Sequence, residues 1–465
     1  MYSSFSEMFS GRFGDVRLAR RATFFAEQFA EYRVSIVRQL GVTRAGTVGI
    51  GRFLANEAVT AEEIFEAAGE RCGSLTAGRH VLAIQDTTAL SFPRRRAGTD
   101  DWGPGGDGKV AGIFLHPVIV LDAADGSMLG LAAGRVWIRK TEKVKHRRKR
   151  EFKDRESARW IEEGENAKRR LVQAAAVTLI ADRESDIYRE WAQLPDERFH
   201  LIIRAAQDRA LSDGARLFAA ASAWPVAGRR KVTVTVREQN GVKRTAHVEL
   251  RFGPVSICKP KAERGKGLAA SITAALIDVR EIDAPADCKK PVHWRLLTSH
   301  KVETGEEGWQ IVDWYRLRWR IEEYNRVLKR SGLDLESAML EGGKAMTKLA
   351  AMGAVVGAQV TQLVEGRDAS PERLATEVLE EEELPIAEAL CRKLEGKTAK
   401  QQNPHAVHSL AWLSWIVARL GGWSGYERYG PAGPKTMATG WRKFQSRMEG
   451  WKLKEEFSEA LVPDG

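Results

Sequence analysis

The stretch WYRLRWRIEEYNRVLKRSG at positions 314–332 combines two tryptophans, two tyrosines and six basic residues with a pair of adjacent glutamates. An ordinary surface helix shows only an apolar stripe and a face of mixed charge. At roughly 100° per residue, one side of an α-helix here would carry four polar residues within about 60° of arc: Tyr315, Arg318, Glu322 and Lys329. The stretch therefore predicts one helix that presents a row of hydroxyl, guanidinium, carboxylate and ammonium groups.

A second stripe of the same helix is apolar and is expected to pack on a sheet. It comprises Trp314, Leu317, Ile321, Tyr324 and Leu328. The polar row beside it would be roughly 21 Å long at 1.5 Å rise per residue, enough to follow several phosphates. An ion-paired solvent face is the alternative, since an i,i+4 pair such as Arg318 with Glu322 stabilises a helix by only about 0.2–0.5 kcal/mol.

The whole chain is basic. Its 465 residues include 73 Lys and Arg against 62 Asp and Glu, which gives a net charge of +11 and a pI near 9.4. This balance favours a polyanionic partner such as nucleic acid, although a merely basic surface is the alternative. With 43% hydrophobic residues, the chain can form real cores and is expected to be globular.

The cysteines do not suggest a metal site or a disulfide framework, because they are scattered and form no CxxC motif. They are Cys72, Cys258, Cys288 and Cys391. We expect a reducing, cytoplasmic environment and no membrane attachment. The weakly apolar run at 349–364, LAAMGAVVGAQVTQLV, is too short and too polar to span a bilayer, and its small residues predict a closely packed helix.

The pattern along the chain predicts three domains. Residues 1–73 read as basic helices, in which Thr60 is the expected N-cap of the segment that follows it. Residues 74–365 form the expected central domain, interrupted by a β-rich insertion at about 205–290. Residues 366–465 are expected to form a helical domain rich in tryptophan.

The fold class predicted for the central domain is α/β. Three runs rich in Val, Ile and Leu are followed by a charged helical stretch and a fourth apolar run. This order is typical of a mixed sheet flanked by helices. The runs are RHVLAIQDTT, IFLHPVIVLDA, MLGLAAGRVWIR and VTLIADRESD.

In the first and the fourth of these runs, the apolar segment is followed by an aspartate. Asp86 closes the first and Asp182 closes the fourth, and an acid at the end of a core strand commonly serves a site at the sheet edge. A turn-forming aspartate is the alternative for each. Together with Glu322, the two acids predict oxygen ligands for two Mg²⁺ ions about 4 Å apart, as in metal-dependent phosphoryl transfer. A glycosidase also pairs carboxylates but has no need of the arginine row.

The motifs QDTT, ADRES and Tyr315-(2)-Arg318-(3)-Glu322-(6)-Lys329 resemble those of the DDE transposases of bacterial insertion sequences. The spacing of the last motif is similar to the signature of the IS-four family, which includes the Tn-five-type cut-and-paste enzymes. FGDVRLARR resembles the start of the family's end-binding domain, and ARLGGW resembles its C-terminal subunit-contact region. The resemblance implies an RNase H-like catalytic core with a β insertion between helical N-terminal and C-terminal domains.

The same resemblance implies roles for individual residues. Asp86, Asp182 and Glu322 would be the catalytic metal ligands, with Mg²⁺ as the ion and Mn²⁺ expected to substitute. The expected contacts with DNA are Tyr315, Arg318, Lys329, Trp294, Arg204, Arg17, Arg20, Arg21 and Arg52. Trp294 would stack on a flipped base, and a strand tryptophan in the core is its alternative.

The implied partners are double-stranded DNA, as terminal inverted repeats and target, and a second copy of the chain in the DNA complex. The implied setting is the bacterial cytoplasm, at the nucleoid. The function implied is cut-and-paste transposition through end hydrolysis, hairpin formation and resolution, and strand transfer. Two alternatives stay open: a silent DNA-binding inhibitor or domesticated copy, and a sequence-tolerant nuclease. The basic loops 91–111 and 139–155 are either DNA contacts or solvated loops.

Overall fold

The structure is a computed structural model. The residues it describes are 4–32, 36–98, 101–106, 108, 110–140, 151–152, 155–236, 242–263, 267–285, 288, 290–331, 333–367, 369, 372–425 and 430–460. Most of the basic run 139–155 lies outside these residues, as do parts of the loop 91–111, so neither loop is assigned a role.

The described residues form helices at both ends of the chain and an alternation of strands and helices between them. The helices are α1 (Ser4–Phe9), α2 (Val16–Tyr32), α3 (Val37–Leu40), α4 (Arg44–Ala55), α5 (Ala61–Ser74), α6 (Ala158–Arg170), α7 (Tyr188–Gln193), α8 (Leu217–Ala223), α9 (Gly305–Arg316), α10 (Trp319–Arg326), α11 (Gly343–Gly366), α12 (Leu384–Leu394), α13 (Leu410–Leu420) and α14 (Pro434–Ala460). The predicted N-cap is confirmed, since the Thr60 side chain accepts a hydrogen bond from the Glu63 N–H.

The strands belong to one sheet, which covers the centre of the chain. They are β1 (His80–Gln85), β2 (Thr88–Phe92), β3 (Gly103–Pro104), β4 (Ala111–Asp122), β5 (Met128–Trp137), β6 (Ala176–Ala181), β7 (Phe199–Arg204), β8 (Gly228–Val236), β9 (Val242–Cys258), β10 (Ser271–Glu281) and β11 (His293–Thr298). The predicted mixed α/β class is confirmed.

The sheet is mixed, and β1 lies in its middle. Its main path runs β2-β4-β1-β6-β7-β11-β10-β9-β8, with β3 and β5 paired to β4. The pairs β1–β6 and β6–β7 are parallel, whereas β1–β4 and β4–β5 are antiparallel. Strands β8 to β11 continue the same sheet through the pairing of β11 with β7.

A break separates β1 from β2, and it falls at Asp86 and Thr87. The two strands keep one register along β4, because Gln85 pairs with Val118 and Thr88 pairs with Leu115. The break therefore lies opposite His116 and Pro117. A proline has no N–H to donate to a ladder, which is a physical reason for the pairing to lapse at this point.

Two cores cover the two faces of the sheet. One face packs against α6, α7 and α8, through residues such as Val81, Val177 and Trp160. The other packs against α9, α10 and α11 and against the terminal helices, through residues such as Ile84 and Ile180. The side chains of a strand alternate between faces, so Asp86 extends the face of Ile84 and Gln85 extends the opposite face.

The helix α11 contains the run of small residues at 349–364, and it is buried along most of its length. A Cβ atom on Gly357 would lie 2.5 Å from the Leu328 side chain, so the glycine permits the predicted close packing. Among the helices of the described chain, none has both the length and the apolar character that crossing a membrane requires.

The prediction of one continuous helix over 314–332 is wrong. Helix α9 ends at Arg316, α10 begins at Trp319, and a π-helical turn spans Val327–Ser331. Between α9 and α10 the backbone amides bond to carbonyls three residues back instead of four. The residue types of this stretch all tolerate a helix, so their propensities do not reveal the break. It coincides with the tertiary contacts of Arg318, and π turns are frequent at functional sites.

Candidate active site

The two aspartates lie at the carboxyl ends of adjacent parallel strands. Asp86 follows β1 and Asp182 follows β6, and Ile84 pairs with Ile180 in the register of these strands. Each aspartate also binds its own turn: Asp86 Oδ1 accepts a hydrogen bond from Thr87 N at 2.8 Å, and Asp182 Oδ1 accepts one from Glu184 N at 2.8 Å. The turn-forming alternative and the sheet-edge site are thus compatible, because each carboxylate has a second oxygen.

The turn between α9 and α10 brings a guanidinium to the same edge. Arg318 Nη1 lies 3.6 Å from Asp86 Oδ2, and Arg318 Nη2 donates to Glu322 Oε1 at 3.1 Å. The side chain of Arg318 is 17% exposed, so solvent screens these pairs less than it screens surface pairs. The i,i+4 pair of Arg318 and Glu322 is therefore more than a solvent-face pair, since it also contacts an acid of the sheet.

The electrostatics of Asp86 reflect its crowded position. Burial, together with the neighbouring Asp182 and Glu322, raises the pKa of Asp86 to about 6, although the Thr87 N–H and Arg318 oppose this shift. Burial and like charges disfavour the charged form of a carboxylate, and a nearby cation stabilises that form. The site therefore has an excess of negative charge that Arg318 neutralises only in part.

Tyr315 and Arg204 complete the cluster. Tyr315 is buried, and burial raises the pKa of its hydroxyl although Arg318 and Arg204 lower it. Arg204 is the last residue of β7, where it donates to the His293 carbonyl at 3.0 Å. Burial lowers the pKa of Arg204, as do the positive charges of Arg183 and Arg318, whereas Tyr315 raises it. The structure therefore brings six of the residues predicted from sequence to one sheet edge: Asp86, Asp182, Tyr315, Arg318, Glu322 and Arg204.

The other two residues predicted for this region are both half-buried. Lys329 is half-buried within the π-helical turn that follows α10. Trp294 lies on β11, half-buried against the core that the sheet forms with α9. This position fits its alternative as a core tryptophan as well as it fits a base-stacking role.

The fit to a divalent cation is partial. Among the described residues, no three carboxylate, imidazole or thiol groups are arranged to hold one metal ion. Asp86 and Asp182 suit a hard cation, because they offer carboxylate oxygens from neighbouring strand ends. Arg318 lies beside both Asp86 Oδ2 and Glu322 Oε1, so a cation shared by these acids would meet the guanidinium as a competitor for their charge.

A basic groove lies between α2 and α4 in the N-terminal helices. Its volume is about 760 Å³, and its lining includes Arg17, Arg21, Arg44 and Arg52. Arg20 is exposed but is not part of this lining. Sequence reasoning missed Arg44, which is the first residue of α4 after its N-cap Thr43. A basic residue in the first turn is unfavourable for the helix dipole, and that signal could have marked it.

A family match covers the central part of the chain. Residues 138–356 match the family described as the transposase DDE domain. This segment contains Asp182 and Glu322, whereas Asp86 precedes it. The part of the chain that carries two of the three acids is therefore similar to a transposase DDE domain.

A solved structure, the cryo-EM structure of the piggyBac transposase synaptic complex with hairpin DNA, is also similar. The similarity covers 76% of this chain and 56% of that chain, at 10% sequence identity and a TM-score of 0.34. This chain thus matches little more than half the length of that transposase chain.

Proposed function

We propose that the protein is a DDE transposase of the IS-four family, which moves an insertion sequence by cutting it out of DNA and joining it to a new site. The observation that carries the proposal is the meeting of Asp86, Asp182 and the Arg318–Glu322 pair at one edge of the sheet. The match of residues 138–356 to the transposase DDE domain supports this reaction class.

The proposed catalytic core, residues 74–365, is RNase H-like. The strand order β5-β4-β1-β6-β7 supports this assignment. Strands β1, β6 and β7 are parallel to one another, and β4 is antiparallel to them. Strands β8 to β10 correspond to the β-rich insertion at about 205–290. Residues 1–73 would bind element ends, and residues 366–465 would hold two subunits together.

Mg²⁺ is the proposed cofactor, with two ions per site and with Mn²⁺ as a substitute. Asp86 and Asp182 would hold it, joined by Glu322 once Arg318 turns to a phosphate. When bound, the ions would polarise a phosphodiester and lower the pKa of water. The position of Arg318 supports the idea that phosphate binding comes before the third ligand joins. Its guanidinium lies beside Asp86 and Glu322, and a phosphate that drew it away would leave their negative charge for the ions.

The basic residues of the site would position DNA. Arg318 and Arg204 can grip phosphate oxygens with two N–H groups each, whereas Lys329 would act as a point charge. Tyr315 would donate its hydroxyl to the same phosphate, and burial favours the protonated, donating form of its side chain. Trp294 would stack on a base turned out of the helix.

The proposed reaction begins with water attacking the phosphorus at each element end, which breaks the P–O3′ bond and leaves a 3′-OH. That hydroxyl attacks a phosphodiester of the opposite strand, which joins the two strands in a hairpin and releases the flanking DNA with its own 3′-OH. A second water hydrolyses the hairpin phosphodiester, and the freed 3′-OH then attacks a phosphodiester of the target DNA and displaces a target 3′-OH. Every nucleophile is water or a DNA hydroxyl, so no protein side chain bonds to DNA. A homodimer would hold both ends, at the nucleoid of a bacterial cell.

The test is cleavage of a labelled duplex that carries the terminal repeats flanking the gene, with Mg²⁺ present and products resolved on a denaturing gel. Glu322→Gln should lower the rate of cleavage more than about 100-fold. Loss of an outer-shell partner of a metal costs up to about 100-fold, and loss of a direct ligand should cost more. Glu323→Gln is the matched control, because Glu323 pairs with Arg320 instead of Arg318.

The outcomes separate the rival functions. A nick at the element end followed by a hairpin-length product, absent from Glu322→Gln, supports the proposal. Specific binding without cleavage by the wild type would instead favour the inhibitor or domesticated copy. Cutting that ignores the end sequence would favour a nuclease.

A further inference from the structure

A buried histidine connects the two residues that flank Asp86. His116 lies on β4, is fully buried, and faces the break between β1 and β2. Its Nδ1 is 2.8 Å from Thr87 Oγ1, and its Nε2 is 3.2 Å from Gln85 Oε1. Since side chains alternate along a strand, Gln85 and Thr87 project to one face and Asp86 to the other. One imidazole therefore braces both neighbours of Asp86 from the opposite face of the sheet.

The hydrogen bonds continue from both ends of this bridge to the turn after β6. Gln85 Nε2 donates to Glu190 Oε1 at 3.2 Å, and Ser185 Oγ donates to Glu190 Oε2 at 2.6 Å. At the other end, Arg159 Nε donates to Thr87 Oγ1 at 2.8 Å.

The Arg159 end returns to the same turn. Arg159 Nη2 donates to Glu184 Oε2 at 3.1 Å, and both Glu184 and Ser185 lie within three residues of Asp182. The network therefore joins the turn that bears Asp86 to the turn that bears Asp182.

The direction of the bonds is consistent throughout. Arg159 can only donate, so Thr87 accepts from it and donates its own hydrogen to His116 Nδ1. His116 then donates from Nε2 to Gln85 Oε1, and Gln85 donates to Glu190. This pattern needs a neutral ring with its hydrogen on Nε2. Burial, helped by Arg159 and Arg135, holds the pKa of His116 well below its ordinary value, which agrees with a neutral ring.

We propose that His116 is a positioning residue for the metal-binding acids, which ties the turns of Asp86 and Asp182 together through Thr87, Gln85 and Glu190. This inference rests on the proposed function, because positioning matters only if the two acids share an ion. Metal sites depend on supports of this kind, and loss of an outer-shell partner typically lowers metal affinity about 10–100-fold.

The test compares variants in the complex of the protein with end DNA. His116→Phe keeps a ring, which can retain the edge-on contact with Trp160 seen at 4.7 Å between centroids, but it removes both hydrogen bonds. Thr87→Val is the second variant, because it removes the links to His116 and Arg159 and changes little volume. Mn²⁺ affinity is measured by calorimetry, beside the melting temperature and the affinity for end DNA.

Thr178→Val is the matched control. The Thr178 hydroxyl is also buried in the sheet and hydrogen-bonded to histidines, at 2.8 Å from His80 and 2.8 Å from His300. It lies on β6 four residues before Asp182 and takes no part in the network. A general loss of stability would appear in this control as well.

We expect His116→Phe and Thr87→Val to weaken Mn²⁺ binding about 10–100-fold, with unchanged affinity for end DNA, while Thr178→Val lowers only the melting temperature. Wild-type Mn²⁺ affinity in either folded network variant overturns the inference, as does an equal loss in Thr178→Val. If the wild-type complex binds no Mn²⁺, the proposed metal-dependent function fails and the inference fails with it.

Discussion

Arg318 Nη1 lies 3.6 Å from Asp86 Oδ2, so the turn between α9 and α10 is tied to the end of the central strand by charge. The same guanidinium donates to Glu322 Oε1 at 3.1 Å, so it bridges the acid at the strand end and the acid of α10. A metal ion held by Asp86 and Glu322 would compete with this arginine for their negative charge. This competition makes the site responsive to whatever draws Arg318 away, a phosphate group above all.

The first prediction concerns this competition. Arg318→Ala leaves Asp86 and Glu322 without their guanidinium and should destabilise the protein by about 1.5–3 kcal/mol, the usual scale for a hydrogen bond to a charged group. Mg²⁺ should restore part of that loss, and it should raise the melting temperature of the variant more than that of the wild type. Arg316→Ala is the control, since Arg316 pairs with the half-exposed Asp313. Equal responses of Arg318→Ala and wild type to Mg²⁺ would contradict the prediction.

The second prediction concerns pH. Burial raises the pKa of Glu190 to about 8, against 4.5 ordinarily. Between these values the folded state holds a proton that the unfolded state has lost, so this group makes stability fall as pH rises, by up to about 1.4 kcal/mol per pH unit. Glu190→Gln should remove this slope, as measured by urea unfolding at several pH values. The control is Glu197→Gln, at an exposed position, which should leave the slope of stability against pH unchanged. An unaltered slope in Glu190→Gln would show that the group stays charged.

The third prediction concerns the contact between α13 and α14. Gly440 lies against the backbone carbonyl of Val417, and an added Cβ would overlap that oxygen. Gly440→Ala should therefore destabilise the protein by about 1–3 kcal/mol through overpacking. Gly450 lies on the same helix with open space around it, so Gly450→Ala should be neutral or stabilising by up to about 1 kcal/mol. Thermal unfolding of the two variants measures the difference, and similar melting temperatures would show that the helices can separate at no cost.

The fourth prediction concerns the basic groove of the N-terminal helices. Arg44→Ala should weaken binding to end DNA and reduce the slope of log K against log salt by about 0.9, the value for one lost phosphate contact. Arg20→Ala should have less effect, because Arg20 lies outside the groove lining. Fluorescence anisotropy over a series of salt concentrations measures both slopes. A larger effect at Arg20 than at Arg44 would mean that DNA follows another face.

Much of the arrangement could be predicted from local pattern. Apolar runs that end in Asp86 and Asp182 marked two strand ends, and the spacing of Tyr315, Arg318 and Glu322 marked one helical region. These signals are local in the chain, so periodicity detects them.

The rest depends on contacts between distant segments. The break at Leu317–Arg318 coincides with the contact between Arg318 and Asp86, and residue propensities do not reveal it. Thr87 and His116 meet because β1 and β2 share one register along β4. No local pattern around Thr87 or around His116 predicts that pairing. The pairing of Arg318 with Asp86 is likewise not predictable from the sequence, because the two residues lie more than 200 positions apart.

The central place of β1 has a practical consequence for anyone who expresses part of this protein. The segment that sequence comparison picks out, residues 138–356, begins after β1, β4 and β5. Cut out on its own, it would lose the strand that separates β4 from β6 and would expose the long edge of β6, a template for aggregation. It would also lack Asp86. A useful truncation must therefore begin before His80, so that the sheet is built around its middle strand.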